Sequence, residues 1–457
     1  MNKILKRLTI ADPKVFTKWI HDNRYLIIYS ILVAVFAYGY ELFNFSLSID
    51  EEMVSFADRS FWKSYIGIGR WGTYLLNQLF LSYSLLPYLP FLIGIVCVAL
   101  SAVFMTLNMP GTLSAKMVFT TVFITTPAHA YYLTFNTAAP FFGLAMLLTV
   151  IGFVGLTRAL DQNNRILYIL SIPFLVFSLA VYQAFVAFFI TLIIFHLLYC
   201  LLNVPEFTFK KLIRRTATLL LFLLIAVIIY KLTDLLFRYF FDLNGLEDQK
   251  YLENFRKWGK APLHEIFQSC KDATLIFLTG KNLNVTRFGM LITFQLLLPL
   301  LMFVFIREKI ILSKKWMILA LLILLFLAPF SLLYLNGSPL PYRTMVALPL
   351  SISLIWWLLF TRAPAWGKNI LLVLVFFLLI SNTIAITRLF NATWVSWQAD
   401  RDMANRIYER IYMLEPNDDG QMGEVVFVGK FDRPANQLFV RSEVFGASFF
   451  SWTGGSP

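Results

Sequence analysis

Charged residues are scarce in this chain, at 14% of 457 residues against 59% hydrophobic ones. A soluble domain is about a quarter charged, so the scarcity excludes a water-exposed globular fold, and a mean hydropathy of +0.70 agrees. Cysteine is nearly absent. Cys97 and Cys200 lie in apolar runs and Cys270 in a polar loop, which excludes a disulfide framework and any Cys/His metal pattern. Also missing are a glycine-rich phosphate loop, a DxD-like nucleotide-sugar site in the basic, cytoplasmic-side loops, a soluble catalytic domain and a long internal repeat. The net charge of +13 does not point to nucleic acid, because the lysines and arginines gather in short loops between apolar runs, where they set topology and meet anionic lipid.

Long apolar runs are what the chain does have. A spanning helix needs about 20 mostly apolar residues. That rule places about eleven spans, near 25–44, 87–108, 116–134, 139–157, 167–182, 184–202, 216–239, 288–306, 316–334, 344–361 and 369–389. The first follows a basic segment (Lys3 to Arg24) and has no small-residue cleavage site, so it reads as a retained helix. The run 167–202 reads as a hairpin broken at Tyr182 and Gln183. With that parity Lys116, Arg158, Arg165, Lys210, Lys211, Arg214, Arg215, Arg307, Lys309, Lys314, Lys315, Arg362 and Lys368 all join the basic N-terminus on one side. The positive-inside rule makes that side cytoplasmic and puts the C-terminus outside.

The outer side then receives segments 45–86, 240–287 and 335–343 and the tail. In the first, Phe56, Trp62, Tyr65, Tyr74 and Phe80 mix with polar residues at near-helical spacing, as in helices lying along a membrane surface. The tail predicts an amphipathic helix at 397–413 and a strand at 424–429. The expected fold is an all-α polytopic membrane protein: a transmembrane module over 1–389, and a small α/β outer appendage over 390–457.

The chemistry-bearing residues stand at the outer ends of these spans. Asp50, Glu51 and Glu52 follow the first span directly, and carboxylates there are not needed for topology. They are either a reactive cluster or solvated loop charges. Arg70, beside Gly69 and Trp71, suits a phosphate, or snorkels at the interface. Arg343, in the proline-stiffened stretch Pro339–Thr344, is an outer-facing cation suited to a head-group phosphate; Arg287 and Lys281 are further cations of that kind. His129 and Gln183 either contact a sugar or join helices by hydrogen bonds. Lys231, Asp234 and Arg238 recur at helical spacing and read as structural ion pairs.

The layout resembles the serotype-converting O-antigen glucosyltransferases of bacteria and their phages, within the C-type superfamily of polytopic membrane glycosyltransferases. The resemblance rests on Asp50-Glu51-Glu52, Gly69-Arg70-Trp71 and Tyr182-Gln183, and on the overall pattern with its short outer tail. It implies an inner-membrane enzyme that takes a hexose, glucose first, from an undecaprenyl-phosphate-linked donor and passes it to an O-antigen or other lipid-linked glycan on the periplasmic side, with inversion. A flippase and a donor-synthesising glycosyltransferase usually accompany such enzymes. No cofactor is obligatory, although Asp50 and Glu51 could hold a divalent cation. Many relatives begin the acidic run with two aspartates, whereas this chain has Asp-Glu-Glu; Asp50 is the first choice for the base and Glu51 the second.

That reaction needs a base for the acceptor hydroxyl, cations for the departing phosphate, and a site open to both membrane and water. Glu52, Arg70, Trp71, His129, Gln183, Arg287 and Arg343 are the candidate substrate contacts. Neighbouring acids point about 100° apart on a helix, so one or two of the three share a pocket. Two other readings compete. A flippase or transporter predicts mid-membrane charges and two related halves, which this chain lacks. An O-antigen polymerase predicts a large arginine-rich outer loop, of which 240–287 is a modest version.

Overall fold

The computed structural model describes residues 13–56, 62–81, 85–243, 255–279, 287–308, 310–413 and 440–451. Among these it is all-helical. The helices begin with α1 (Pro13–Phe43), α2 (Ile49–Phe56), α3 (Ser64–Gly67), α4 (Trp71–Leu76), α5 (Leu89–Met105) and α6 (Leu113–Thr125). They continue with α7 (Ala130–Leu133), α8 (Ala139–Gln162), α9 (Arg165–Val181), α10 (Phe185–Asn203) and α11 (Phe209–Phe240). The later main helices are Leu263–Thr279, Leu298–Arg307, Leu312–Leu327, Leu348–Arg362 and Ala365–Tyr412. The strand expected at 424–429 lies outside the described residues.

Among the described residues, six helices are long and apolar enough to cross a membrane: Thr17–Phe43, α8, α10, α11, Leu312–Asn336 and Ala365–Tyr412. Shorter apolar helices occupy the other positions where spans are expected. Leu220, Leu224, Ile228, Leu232 and Leu235 along α11, and Val373, Phe376 and Phe377 on the last helix, point outward and are exposed. So much outward apolar surface suits lipid rather than water. This is a membrane protein.

Inside the bundle, α8 packs on both α5 and α9, α1 lies against α5 and α6, and α6 against Leu348–Arg362. Lipid offers helices no hydrophobic gain on associating, so close backbone approach has to supply the contact. Gly143 of α8 meets Gly94 of α5 so closely that a Cβ on Gly143 would lie 2.5 Å from the Gly94 carbonyl oxygen. The 167–202 run is broken at Tyr182, which leaves the helix with extended backbone (φ −157°, ψ 117°).

Two expectations change. Trp62, Ile66, Trp71, Tyr74 and Leu76 of the segment expected along a membrane surface are buried in the bundle core, whereas Leu79 and Phe80 at its end are exposed. Gly72 lets α4 press against Ala180 of α9, and Trp71 stacks on Phe237 of α11 at 4.8 Å. In addition, the last span and the amphipathic helix expected after it form one uninterrupted helix of 48 residues. At about 1.5 Å per residue such a rod is about 72 Å long, more than twice the hydrocarbon thickness. Nothing between residues 389 and 397 breaks it, because that stretch holds neither proline nor glycine.

Candidate active site

The acidic run starts a helix. Ser48 precedes α2, and Glu51, three residues on, reaches back so that its Oε2 accepts from the Ser48 backbone N–H and hydroxyl, each at 3.2 Å. The carboxylate thus takes up the Ser48 N–H, one of the donors that a helix start leaves open, while the Glu51 N–H bonds the Ser48 carbonyl at 2.9 Å. The Thr137 N–H donates to the other oxygen, Oε1, at 2.8 Å. Burial raises the Glu51 carboxyl to about 7, against the lowering effect of these donors. Glu51 is therefore fully buried and engaged at both oxygens. It ties the first loop to the 134–138 loop, where Asn136 also donates to the Ser46 carbonyl at 3.3 Å.

One residue earlier on the same helical turn, Asp50 faces a different way. Burial pushes its carboxyl above the usual carboxylate range, and Arg343 and then Arg70 pull it back. Two arginines from segments far apart in sequence thus act electrostatically on this carboxylate. Glu52 turns elsewhere: burial and the charge of Asp400, on the long final helix, lift it to about 8.

The backbone around Arg70 is clamped. Gly69 has a left-handed φ of +79°, and its carbonyl accepts from the Tyr230 hydroxyl at 2.8 Å. Gln183 donates to the Ile68 carbonyl at 2.8 Å and to Tyr230 at 3.0 Å. Arg70 leaves this clamp with its guanidinium 4.7 Å from the Tyr182 ring centroid, a favourable cation–π placement. Asp234 sits against the same glycine and pairs with Arg238 at 3.3 Å and Lys231 at 3.6 Å. These are the ion pairs the helical spacing predicts.

Arg343 lies in the turn Tyr342–Thr344, 5.6 Å from the Phe135 ring centroid and 3.9 Å from the carboxylate of Glu443. Tyr65 completes the group. Its backbone carbonyl accepts from the Arg70 N–H at 2.6 Å, and its phenol bonds Thr137 and feels Arg70, Glu51 and Asp50.

The structure thus puts Arg70 and Arg343 within electrostatic reach of Asp50, with Glu51 bracing the start of the same helix. It does not bring His129 to them. That ring is fully buried, with Nε2 2.8 Å from the Phe123 carbonyl and Nδ1 against the Tyr132 hydroxyl, the helix-joining alternative. Trp71 is occupied by aromatic packing and Gln183 by the clamp. Arg287 opens a short helix, Arg287–Met290, and Lys281 is outside the described residues. Sequence reasoning missed Tyr65, Tyr230, Asp400 and Glu443. The Ser-x-x-Glu spacing at Ser48 and Glu51 is a legible cap signal; nothing in the local sequence marks the other four. No group of three or more His, Cys, Asp or Glu side chains arranged to hold a metal occurs among the described residues.

The site contains a carboxylate able to take a proton, two arginines able to receive a phosphate, and aromatic walls. A family profile, Glucosyl transferase GtrII, matches residues 39–361, a stretch that includes Asp50, Arg70, Gln183 and Arg343. No curated protein and no solved structure matches the chain. With more than half of its length covered by that profile, the chain belongs to the Glucosyl transferase GtrII family.

Proposed function

We propose that this glucosyltransferase works in the bacterial inner membrane, with its N-terminus cytoplasmic and its C-terminus periplasmic. On the periplasmic side it transfers glucose from an undecaprenyl-phosphate-linked donor to an O-antigen or other lipid-linked glycan. The observation that carries the reading is a half-buried Asp50 within electrostatic reach of Arg70 and Arg343. Asp50 takes the proton of the acceptor hydroxyl as its oxygen bonds the anomeric carbon. The bond from that carbon to the phosphate oxygen breaks, and its electron pair leaves with the phosphate, whose charge the arginines offset. Attack opposite the leaving group inverts the anomeric configuration.

Glu51 is a positioning group in this scheme, because both its oxygens already accept from the protein. Trp71 and Gln183 shape the wall behind Arg70. The donor reaches the site from the membrane, and a flippase and a donor-synthesising glycosyltransferase supply it. The test is glucosylation by membranes carrying Asp50→Asn, Glu51→Gln or both. Loss of a general base lowers the rate by about 10²–10⁴. Wild-type transfer in Asp50→Asn alone would remove the mechanism.

A further inference from the structure

The C-terminal segment 440–451 folds back onto the site. Val440 and Phe445 are buried in the core cluster, and Phe445 stands edge-on to Tyr131 at 5.2 Å and to Phe390 at 5.5 Å. The Ser442 hydroxyl meets that of Tyr131 at 2.8 Å. The carboxylate of Asp400 accepts from the Ser448 hydroxyl at 2.5 Å and the Phe449 N–H at 2.7 Å. The segment, with the Phe390 and Asp400 it packs on, lies beyond the 39–361 stretch matched to the family, and Tyr131 lies within that stretch.

Within the segment, Ser442 and Phe445 exchange backbone hydrogen bonds at 3.1 and 3.0 Å, which closes a tight turn. Glu443 sits inside it with φ +53°, a backbone conformation that disfavours side chains and favours glycine or asparagine. If the turn only needed closing, glycine would serve better. The carboxylate has a different use. Its Oε1 accepts from the Tyr342 N–H, and its Oε2 lies 3.9 Å from the Arg343 guanidinium, a distance of charge attraction rather than hydrogen bonding. Glu443 grips the Tyr342–Thr344 turn by its backbone and Arg343 by its charge. Arg343 in turn lies over Phe135 and acts on Asp50.

We propose that Glu443 is a positioning residue that completes the site from outside the family-matched region, holding Arg343 where it serves both Asp50 and the donor phosphate. The inference rests on the reading of Arg343 as a phosphate contact.

The experiment is a double-mutant cycle in purified protein, with polyprenyl-phosphate glucose as the varied substrate. Glu443→Gln keeps an oxygen for the Tyr342 N–H and removes the charge. It raises KM for the donor by about tenfold, the scale of one charge-assisted contact, with a smaller change in kcat. Glu443→Asp keeps the charge and recovers most of the loss. In an Arg343→Gln background Glu443→Gln has no further effect, because the group it acts through is gone. If Glu443→Gln does not accumulate, the Glu443→Asp effect and its disappearance with Arg343→Gln carry the same test. Full additivity of the two substitutions, or wild-type kinetics in Glu443→Gln beside a disabled Arg343→Gln, overturns this inference alone. Wild-type transfer in Arg343→Gln overturns the reading of the site as well.

Discussion

Replacing Gly69 by alanine tests how the site is held. The added Cβ would lie 2.6 Å from the Tyr230 hydroxyl and 2.8 Å from Gln183 Nε2, well inside contact distance. Both side chains must withdraw, and they are the donors that hold the Gly69 and Ile68 carbonyls. The φ of +79° also disfavours any L side chain by about 1–2 kcal/mol. Two weakened hydrogen bonds at about 0.5–1.5 kcal/mol each bring the total to about 2–5 kcal/mol. That energy falls on the residue next to Arg70, and a misplacement of about 1 Å in a positioned group lowers turnover about 10²-fold. The assay is glucosyl transfer by membranes with matched protein levels. Tyr230→Phe serves as a control that removes two hydrogen bonds without adding volume, and it is expected to reduce transfer by up to about thirtyfold, given about 1 kcal/mol per bond. If Gly69→Ala kept wild-type kcat/KM while Arg70→Gln was inactive, the clamp would have no part in placing the arginine.

Three further outcomes follow from the same geometry. Arg343→Gln removes a charge that favours ionised Asp50, so the acid limb of the rate–pH profile moves to higher pH; a shift to lower pH would contradict the coupling. Glu51 at about 7 and Glu52 at about 8 keep protons in the fold that the unfolded chain releases near its ordinary range. Their contribution to stability is therefore full below about pH 4.3 and is lost progressively as pH rises from there to the folded values of about 7 and about 8. Tm measured in detergent falls across that window, and Glu52→Gln flattens its upper part; a Tm that rises instead refutes the assignment. Gly143→Val puts a branched side chain where even a Cβ lies 2.5 Å from the Gly94 carbonyl oxygen. It is expected to separate α5 from α8 and lower accumulation of the folded protein in membranes, read by fluorescence-detected size exclusion.

The individual residues show why some roles were legible and others were not. The break at Tyr182 and Gln183 could be read because two polar residues interrupt an otherwise apolar run. The different duties of Asp50 and Glu51 were half legible: neighbours on a helix point about 100° apart, yet only the fold shows which one meets the arginines. Ser48 and Glu51 carried a cap signal in their spacing, and with it Glu51 reads as a brace. Glu443 and Asp400 carried no signal, since an isolated acid in a polar tail looks like a solvated charge until its partners arrive from elsewhere.

By itself the sequence determined that the chain lives in lipid, that helices carry it, and that acids and arginines collect at span ends. These follow from composition and local periodicity, which depend only on neighbouring residues. Tertiary structure alone decided that Arg70 and Arg343 share Asp50, that Trp71 packs inward, and that the final segment returns to grip the Tyr342–Thr344 turn. Such juxtapositions join residues hundreds of positions apart. The packing of small residues and the satisfaction of buried polar groups select them, and neither is written in any local stretch of the chain.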